Sequence, residues 1–499
     1  MYWKDTARNT KRKCYWLLFL LFFISYGYFF QGGGWNQNSR ICLTRSIIHH
    51  SSFIIDYYKE DTKEMAFVNT GDWAFYNGHY YSNKAPGLSL LAVPSYALAE
   101  YLMRSLVPND GGRQVLLSAY FSTLCTTVLF SSLLCLLMFY VFHHFFHTGI
   151  GNALLATLLF GFGTLAFSYS TTFYSHQPAA FFSFLPFVVI MQIRQGSVRH
   201  QAVRALVAGV SAGVAVLIEP STLFIGGTVA VYLASSREGR RYLPLFIAGG
   251  IPAGVVQGLY NAVCFGHPLA SGYQYANDMV MWKVEGRLFG IPHPARFFQL
   301  LCSPYRGLLF SSPVLLMALP GVFIFFKNRQ WRAEALCSVV VSVLMVVLIA
   351  GFHAWHGGSA AGPRYLLPAF PFFYLLAGAS LVRFPKLYLL VGTISLLINL
   401  SITVVGNEIP RDIRSPFMSV VVKSLLEGRV SINPVPFSHF EQYNIYELAK
   451  IENWSSFVNY NSFNLGEIFF PHSLASILPL ICFWSIWGCG WKRVISTQS

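Results

Sequence analysis

The chain has 499 residues, of which 54% are hydrophobic, 17% aromatic and only 11% charged, with a mean hydropathy of +0.49. Charged residues make up about a quarter of ordinary soluble domains, so a soluble globular class is excluded and a polytopic membrane protein is predicted. The net charge of +15 is accounted for by basic loops and their contact with lipid headgroups, and does not imply nucleic acid.

A spanning helix needs about 20 largely apolar residues, because its backbone polar groups must be satisfied within the segment. Runs of this kind begin near Cys14, Gln114, Gly151, Gln177, Ala205, Ser221, Leu243, Gly307, Ala333, Tyr365, Leu387 and His472. The first follows Lys4, Arg8, Lys11, Arg12 and Lys13 and lacks a small-residue cleavage site, so it is expected to be retained as a signal anchor. Residues 33–113 then form a first outer loop, in which Ile55 to Gly87 gathers Asp56, Glu60, Asp61, Asp72, His79, Lys84 and five tyrosines. A plain connection between two membrane helices has no need of such a set, and this loop is read as one wall of an active site at the membrane surface.

The remaining connections sort by charge. Arg194, Arg199 and Arg204, then Arg237, Arg240 and Arg241, then Lys327, Arg329 and Arg332, then Arg383 and Lys386, then Lys492 and Arg493 mark basic loops, which the positive-inside rule places in the cytoplasm. Segments 171–176, 266–306, 352–364 and 406–471 carry acids, His, Tyr, Trp and Gly-Pro turns and face outward. The two sets alternate only if the run Leu88 to Leu106, which starts at Pro86-Gly87 and contains Pro94, does not cross; it is read as a juxtamembrane or re-entrant helix. An all-α polytopic fold with about twelve crossings and both termini cytoplasmic follows, although the loop from His143 to His147 lacks Lys or Arg and fits least well. Residues 1–405 are expected to form the transmembrane catalytic unit, 406–471 a small extracytoplasmic segment, and 472–499 the last helix and a cytoplasmic tail. Asn453 heads a glycosylation sequon of low specificity. The nine cysteines show no CxxC, and Cys42, Cys264 and Cys302 are the ones placed where a disulfide could form.

Several outward residues suit group transfer. Asp72, in TGDW, and Asp56, after the apolar Ile54-Ile55, are candidate general bases, with Asp61 next in line; either could instead cap a turn. Lys84 in YYSNKAPG can bind a phosphate as a point charge or snorkel to headgroups. Tyr80 and Tyr81 can stack on a sugar or sit in an interfacial belt. FSYSTTFYSHQPAA brings Tyr169, Tyr174 and His176 to an outer helix end, and HAWHGGSAAGPRYLLP does the same for His353, Trp355, His356 and Arg364, whose guanidinium can grip a phosphate bidentately. Glu219 and Arg306 lie at further outer ends and read as structural partners. His79, His176 and His356 have no ligand spacing, so no metal is expected.

Three blocks in order, GDWAFYNGHYYSNKAPG, FYSHQPAA and WHGGSAAGPRYLLPAFPF, resemble the GT-C glycosyltransferases that use polyprenyl-phosphate sugars, among them the protein mannosyltransferases and lipid A aminoarabinose transferases. The resemblance implies a GT-C-like fold whose first outer loop carries juxtamembrane helices. It also implies an inverting transfer of a hexosyl or pentosyl group from the lipid-phosphate donor to a hydroxyl of an envelope glycan, lipid or protein. The lipid-linked sugar is then a co-substrate, no cofactor is needed, and the chain is an integral protein of a bacterial inner membrane with its site facing the periplasm. Lys84 matches the family's Lys before Pro, which contacts the carrier phosphate. The family places an acid shortly before an Arg in the first outer loop; here the stretch is NQNSR, with Arg40 at its end and Asn38 where the acid is expected, which shifts the base to Asp72 or Asp56. Substrate contacts are expected from Lys84, Arg364, His356, His79, Tyr81, His176, Tyr169 and Arg40. The rival classes are a polysaccharide polymerase or ligase, and a transporter of lipid-linked substrates, which would place its charges at mid-membrane on broken helices.

Overall fold

The structure is a computed structural model that describes residues 2–59, 70–108, 110–196, 199–276, 287–432 and 462–496, with side chains from residue 12 to residue 493. Asp61 and Asn453 fall outside the described residues. Seven helical stretches are long and apolar enough to span a membrane: Gly111–Phe145, His176–Arg194, Gln201–Ile218, Leu243–Phe265, Arg329–Gly351, Pro385–Val405 and Leu474–Arg493. Shorter apolar helices at Ile150–Gly163, Pro220–Ala234 and Pro313–Lys327 pack among them, as does the opening helix α1 (Tyr2–Gly27). The chain is a multi-pass integral membrane protein.

The bundle has two chemically distinct ends. One holds the basic connections: Arg194 donates to the Tyr232 carbonyl and to Ser235 Oγ, each at 2.7 Å, and Tyr232 donates to the buried Glu334. Phe145 and Phe146 pack on Trp331 at this same end, so the loop from His143 lies with the basic loops despite lacking their charge. The helices His176–Arg194 and Gln201–Ile218 carry the chain to and from this end, which places His176 and Glu219 together at the opposite one.

Close helix contacts are made through glycine, the usual device where lipid supplies no hydrophobic drive for association. A Cβ on Gly209 would stand 1.9 Å from the Phe246 carbonyl oxygen, and one on Gly249 2.3 Å from that of Leu206. The helices Gln201–Ile218 and Leu243–Phe265 therefore touch backbone to backbone. Hydroxyls within the long helix Gly111–Phe145, such as those of Ser122, Thr126 and Ser131, return to the carbonyl four residues earlier, which satisfies them in an apolar setting.

The first outer loop builds the opposite end. After β1 (Phe29–Gln31) comes α2 (Trp35–His50), buried along most of its length, and the short α3 (Asp56–Lys59). A hairpin of β2 (Trp73–Tyr76) and β3 (His79–Ser82) turns at Asn77-Gly78, both at positive φ (51° and 85°), the geometry that Asn-Gly favours. Trp73 pairs with Ser82, so Asp72 and Lys84 leave the hairpin side by side. The Leu88 to Leu106 run forms α4 (Gly87–Leu106), which packs on α2 and on the start of the helix at Gly111, and leaves Leu91, Leu98, Leu102 and Leu106 exposed. It is not among the spanning helices. A Cβ on Gly87 would lie 2.5 Å from the Leu217 carbonyl, so α4 begins pressed against the end of Gln201–Ile218.

The late polar segment is tied back to the start of the chain. β4 (Ser462–Asn464) pairs antiparallel with β1, Phe29 opposite Asn464. Cys42 and Cys264 are buried and Cys302 exposed, all three as free thiols.

Candidate active site

Lys84 and Asp72 form the centre of a buried polar cluster. Lys84 Nζ lies 2.9 Å from Asp72 Oδ2, with side chains 3% and 8% exposed. Ser39 of α2 fixes this pair from below, its Oγ donating to the Asp72 carbonyl at 2.6 Å and sharing a 2.7 Å bond with Ser82 Oγ. Burial pushes the Lys84 ammonium down to about 8, a shift that Asp72 opposes and the charges of Arg40 and Arg364 reinforce.

The next residue of α2, Arg40, donates to Asn36 Oδ1 and to Ser175 Oγ, the latter at 2.9 Å, and Ser175 Oγ donates to Glu219 Oε2 at 2.7 Å. Burial would raise the Glu219 carboxyl, but His176, the Ser175 hydroxyl and the Arg40 charge hold it down to about 2. His176 Nδ1 stands 3.3 Å from Glu219 Oε2 without hydrogen-bond geometry.

Arg364 enters from the glycine-rich segment of the third block. Gly357, Gly358 and Gly362 all have positive φ, and a Cβ on Gly357 would meet Arg364 Cγ and Nε at 3.2 Å, so the loop wraps the guanidinium as only glycine permits. Arg364 lies 4.9 Å over the Tyr174 ring and 5.5 Å from that of Tyr365. Tyr174 in turn donates to Glu408 Oε1, which also receives Gln37 Nε2 at 3.4 Å. Among the described residues no carboxylate forms an ion pair with Arg40 or Arg364, and the Nε of each is buried without a partner. Asn83, His176 and Gln177 likewise have both of their polar side-chain atoms buried and unpartnered.

A groove of ≈ 930 Å³ opens beside this cluster. Asn83, Lys84 and Tyr273 form its polar end, and Val216, Leu223, Val255 and Leu259 carry it down the outer faces of the membrane helices. Lys84 Nζ lies 5.7 Å from the Tyr273 ring centre.

Of the residues singled out in the sequence, Lys84, Asp72, Arg40, Arg364 and His176 come together. Tyr169 reaches the same place as a brace: fully buried, it donates to the Ala361 carbonyl at 3.0 Å and receives Ala361 N–H at 3.1 Å. His356 lies behind Arg364. Its Nδ1 accepts Gly358 N–H at 2.9 Å, and burial with the charges of Arg306, Arg411, Arg364 and Arg296 presses it down to about 3, so it stays a neutral imidazole. Arg306, fully buried, donates to the carbonyls of His356, Gly358 and Ile409 and clamps the glycine loop. Asp56 lies apart from the cluster at the start of α3, against the hairpin, where its oxygens take His79 Nδ1 at 2.8 Å and Tyr80 N–H at 2.6 Å; His79 and Tyr81 belong to that hairpin. Glu408 and Tyr273 are members that no local motif marks, and Asn83, inside the YYSNKAPG block, was not singled out there.

No family model and no curated protein matches the chain. Among solved structures it is similar to ArnT from Cupriavidus metallidurans bound to undecaprenyl phosphate, with a TM-score of 0.48 and 13% identity over 77% of this chain and 61% of that one. It is also similar to the archaeal oligosaccharyltransferase AglB from Archaeoglobus fulgidus in complex with an inhibitory peptide and a dolichol-phosphate, with a TM-score of 0.43 and 14% identity over 78% and 54%. The chain thus spans about three-fifths of the length of the first and about half of the second.

Proposed function

We propose that the chain is an inverting glycosyltransferase that moves a sugar from a polyprenyl-phosphate carrier to a hydroxyl of an envelope glycan, lipid or protein. The observation that carries the reading is the set of buried cations without carboxylate partners, Arg40 and Arg364, meeting Lys84 at the head of an apolar groove. Buried polar groups are nearly always satisfied, so two buried guanidinium Nε donors without partners, beside the unpartnered amides of Asn83 and Gln177, are best understood as part of the cradle of an anion. A lipid phosphate suits it: the headgroup lies against Lys84 and the two guanidinium groups, and the chain follows the groove toward the leaflet. The acceptor oxygen attacks the anomeric carbon as the bond from that carbon to the phosphate oxygen breaks, and the configuration inverts. The cations stabilise the charge that gathers on the departing phosphate.

Topology supports the same assignment. With α1, the three shorter apolar helices and Arg364–Gly378 counted beside the seven long spans, about twelve crossings result, and the positive-inside rule then turns the cluster outward, to the periplasmic face in a bacterial inner membrane. On this reading residues 1–405 hold the catalytic unit, 406–471 an outer segment closing over it, and 472–499 the last crossing and tail. The ionisable groups gather at one end of the bundle rather than at mid-membrane, which favours a transferase over a transporter.

The test uses undecaprenyl phosphate as the probe, with the full chain in lipid nanodiscs. Wild type should bind it, and Lys84→Ala and Arg364→Ala should each weaken binding by about 10- to 150-fold, the equivalent of losing a charge-assisted hydrogen bond of roughly 1.5–3 kcal/mol. Equal affinity in wild type and both variants would remove the shared-phosphate role and return the two residues to interfacial anchoring.

A further inference from the structure

A transfer of this kind leaves the acceptor's proton to be taken up, and the described carboxylates of the outer end differ in their fitness to take it. Asp72 is committed to Lys84 at 2.9 Å; a proton on Asp72 would strand a buried ammonium without its counter-charge, which is strongly unfavourable. Glu219 is held down to about 2 by its neighbours and is a weak proton acceptor. Asp56, on α3, is engaged by His79 and Tyr80 of the hairpin.

Glu408 differs from all three. It is 4% exposed and sits against the first turn of α2, close enough that a Cβ on Gly34 would stand 2.5 Å from its Oε1. Its Oε1 takes the Tyr174 hydroxyl and Gln37 Nε2, while no ion pair or hydrogen bond engages its Oε2 among the described residues. It lies beside the stretch Asn36-Gln37-Asn38 of the first outer loop, whose side chains are all neutral amides. The charges that bear on it are those of Arg364 and Asp72, and burial raises its carboxyl above the usual range against the pull of Arg364, Tyr174 and Gln37. Protonating it removes a charge that acts on Arg364 but breaks no ion pair of the kind that ties Asp72 to Lys84.

We infer that Glu408, supplied from far along the chain, is the catalytic base of the transfer, and that Asp72 is a positioning residue for Lys84. This rests on the transferase reading. In the step, the acceptor hydroxyl's oxygen forms the new bond to the anomeric carbon, its proton passes to Glu408 Oε2, and the electron pair of the broken bond leaves on the polyprenyl phosphate. The proton then returns to solvent.

Two measurements separate the roles: undecaprenyl phosphate binding by the purified chain, and sugar-bearing product made by isolated envelope membranes, followed by mass spectrometry across pH. Glu408→Gln should bind the lipid within about twofold of wild type yet make about 100-fold less product or lower, the scale of a lost general base. Glu408→Asp should restore part of that product, whereas Asp72→Asn should weaken lipid binding at neutral pH as well as product. Tyr174→Phe removes a hydrogen bond that favours the ionised carboxylate, so the acid limb of the pH profile should move to higher pH, which a purely structural brace would not produce. Near wild-type product from Glu408→Gln, or a loss of product matched by an equal loss of lipid binding, would overturn the assignment. Wild-type chain that neither binds the lipid nor makes product would overturn the transferase reading itself, and the base with it.

Discussion

Lys84 is the residue whose chemistry is most exposed to test. Its ammonium is buried and held charged chiefly by Asp72, and it deprotonates as pH rises through about 8. A phosphate contact made by the charged form is therefore present below that point and lost above it, so undecaprenyl phosphate affinity should fall as pH climbs past about 8. Asp72 is the influence that resists this loss. In Asp72→Asn the fall should begin at lower pH, as titrated binding in nanodiscs would register; an unchanged profile would mean that the ion pair does not tune the site. Lys84 and Arg364 were legible in the sequence because each stands in a short block of Gly, Pro and aromatic residues, whereas Arg40, in NQNSR, was picked out only through the family resemblance. Glu408 was not, since what gives it meaning is Tyr174, Gln37 and Arg364, all remote in sequence, and GNEIP alone reads as an ordinary loop.

At the level of elements, apolar runs specified the helices and their order, and α4, which contains Pro94, is not among the helices long and apolar enough to span. Their packing was less legible, because periodicity does not say which glycine meets which backbone. Gly87 is the sharpest case: it lets α4 begin on the Leu217 carbonyl, just before Glu219. Gly87→Ala should push α4 and Gln201–Ile218 apart, displace Lys84 from Glu219's side of the cluster, and lower both thermal stability and lipid binding. A variant with unaltered melting temperature and affinity would show that this contact is slack. The hairpin was not read from the sequence, although Asn77-Gly78 is a pair that favours its turn, and the β1–β4 pairing joins Phe29 to Asn464, a partnership between remote segments that no local pattern announces.

For the molecule as a whole, charge asymmetry between loops carries the topology, and the packing of Phe145 and Phe146 on Trp331 brings the one uncharged loop into line. Reporter fusions or cysteine labelling should place Gly358 outside and Arg199, Arg240 and Arg329 inside; finding Gly358 and Arg240 on one side would break the twelve-crossing arrangement. The central claim is that the outward cluster spends a lipid-linked sugar on an envelope acceptor. Mass spectrometry of envelope glycans, lipids and proteins from cells carrying wild-type chain or Arg364→Ala, at matched membrane levels, tests it most directly. The account predicts a component that gains one sugar mass with wild type and loses it with the variant, while identical envelope profiles in the two strains and in cells lacking the chain would contradict it.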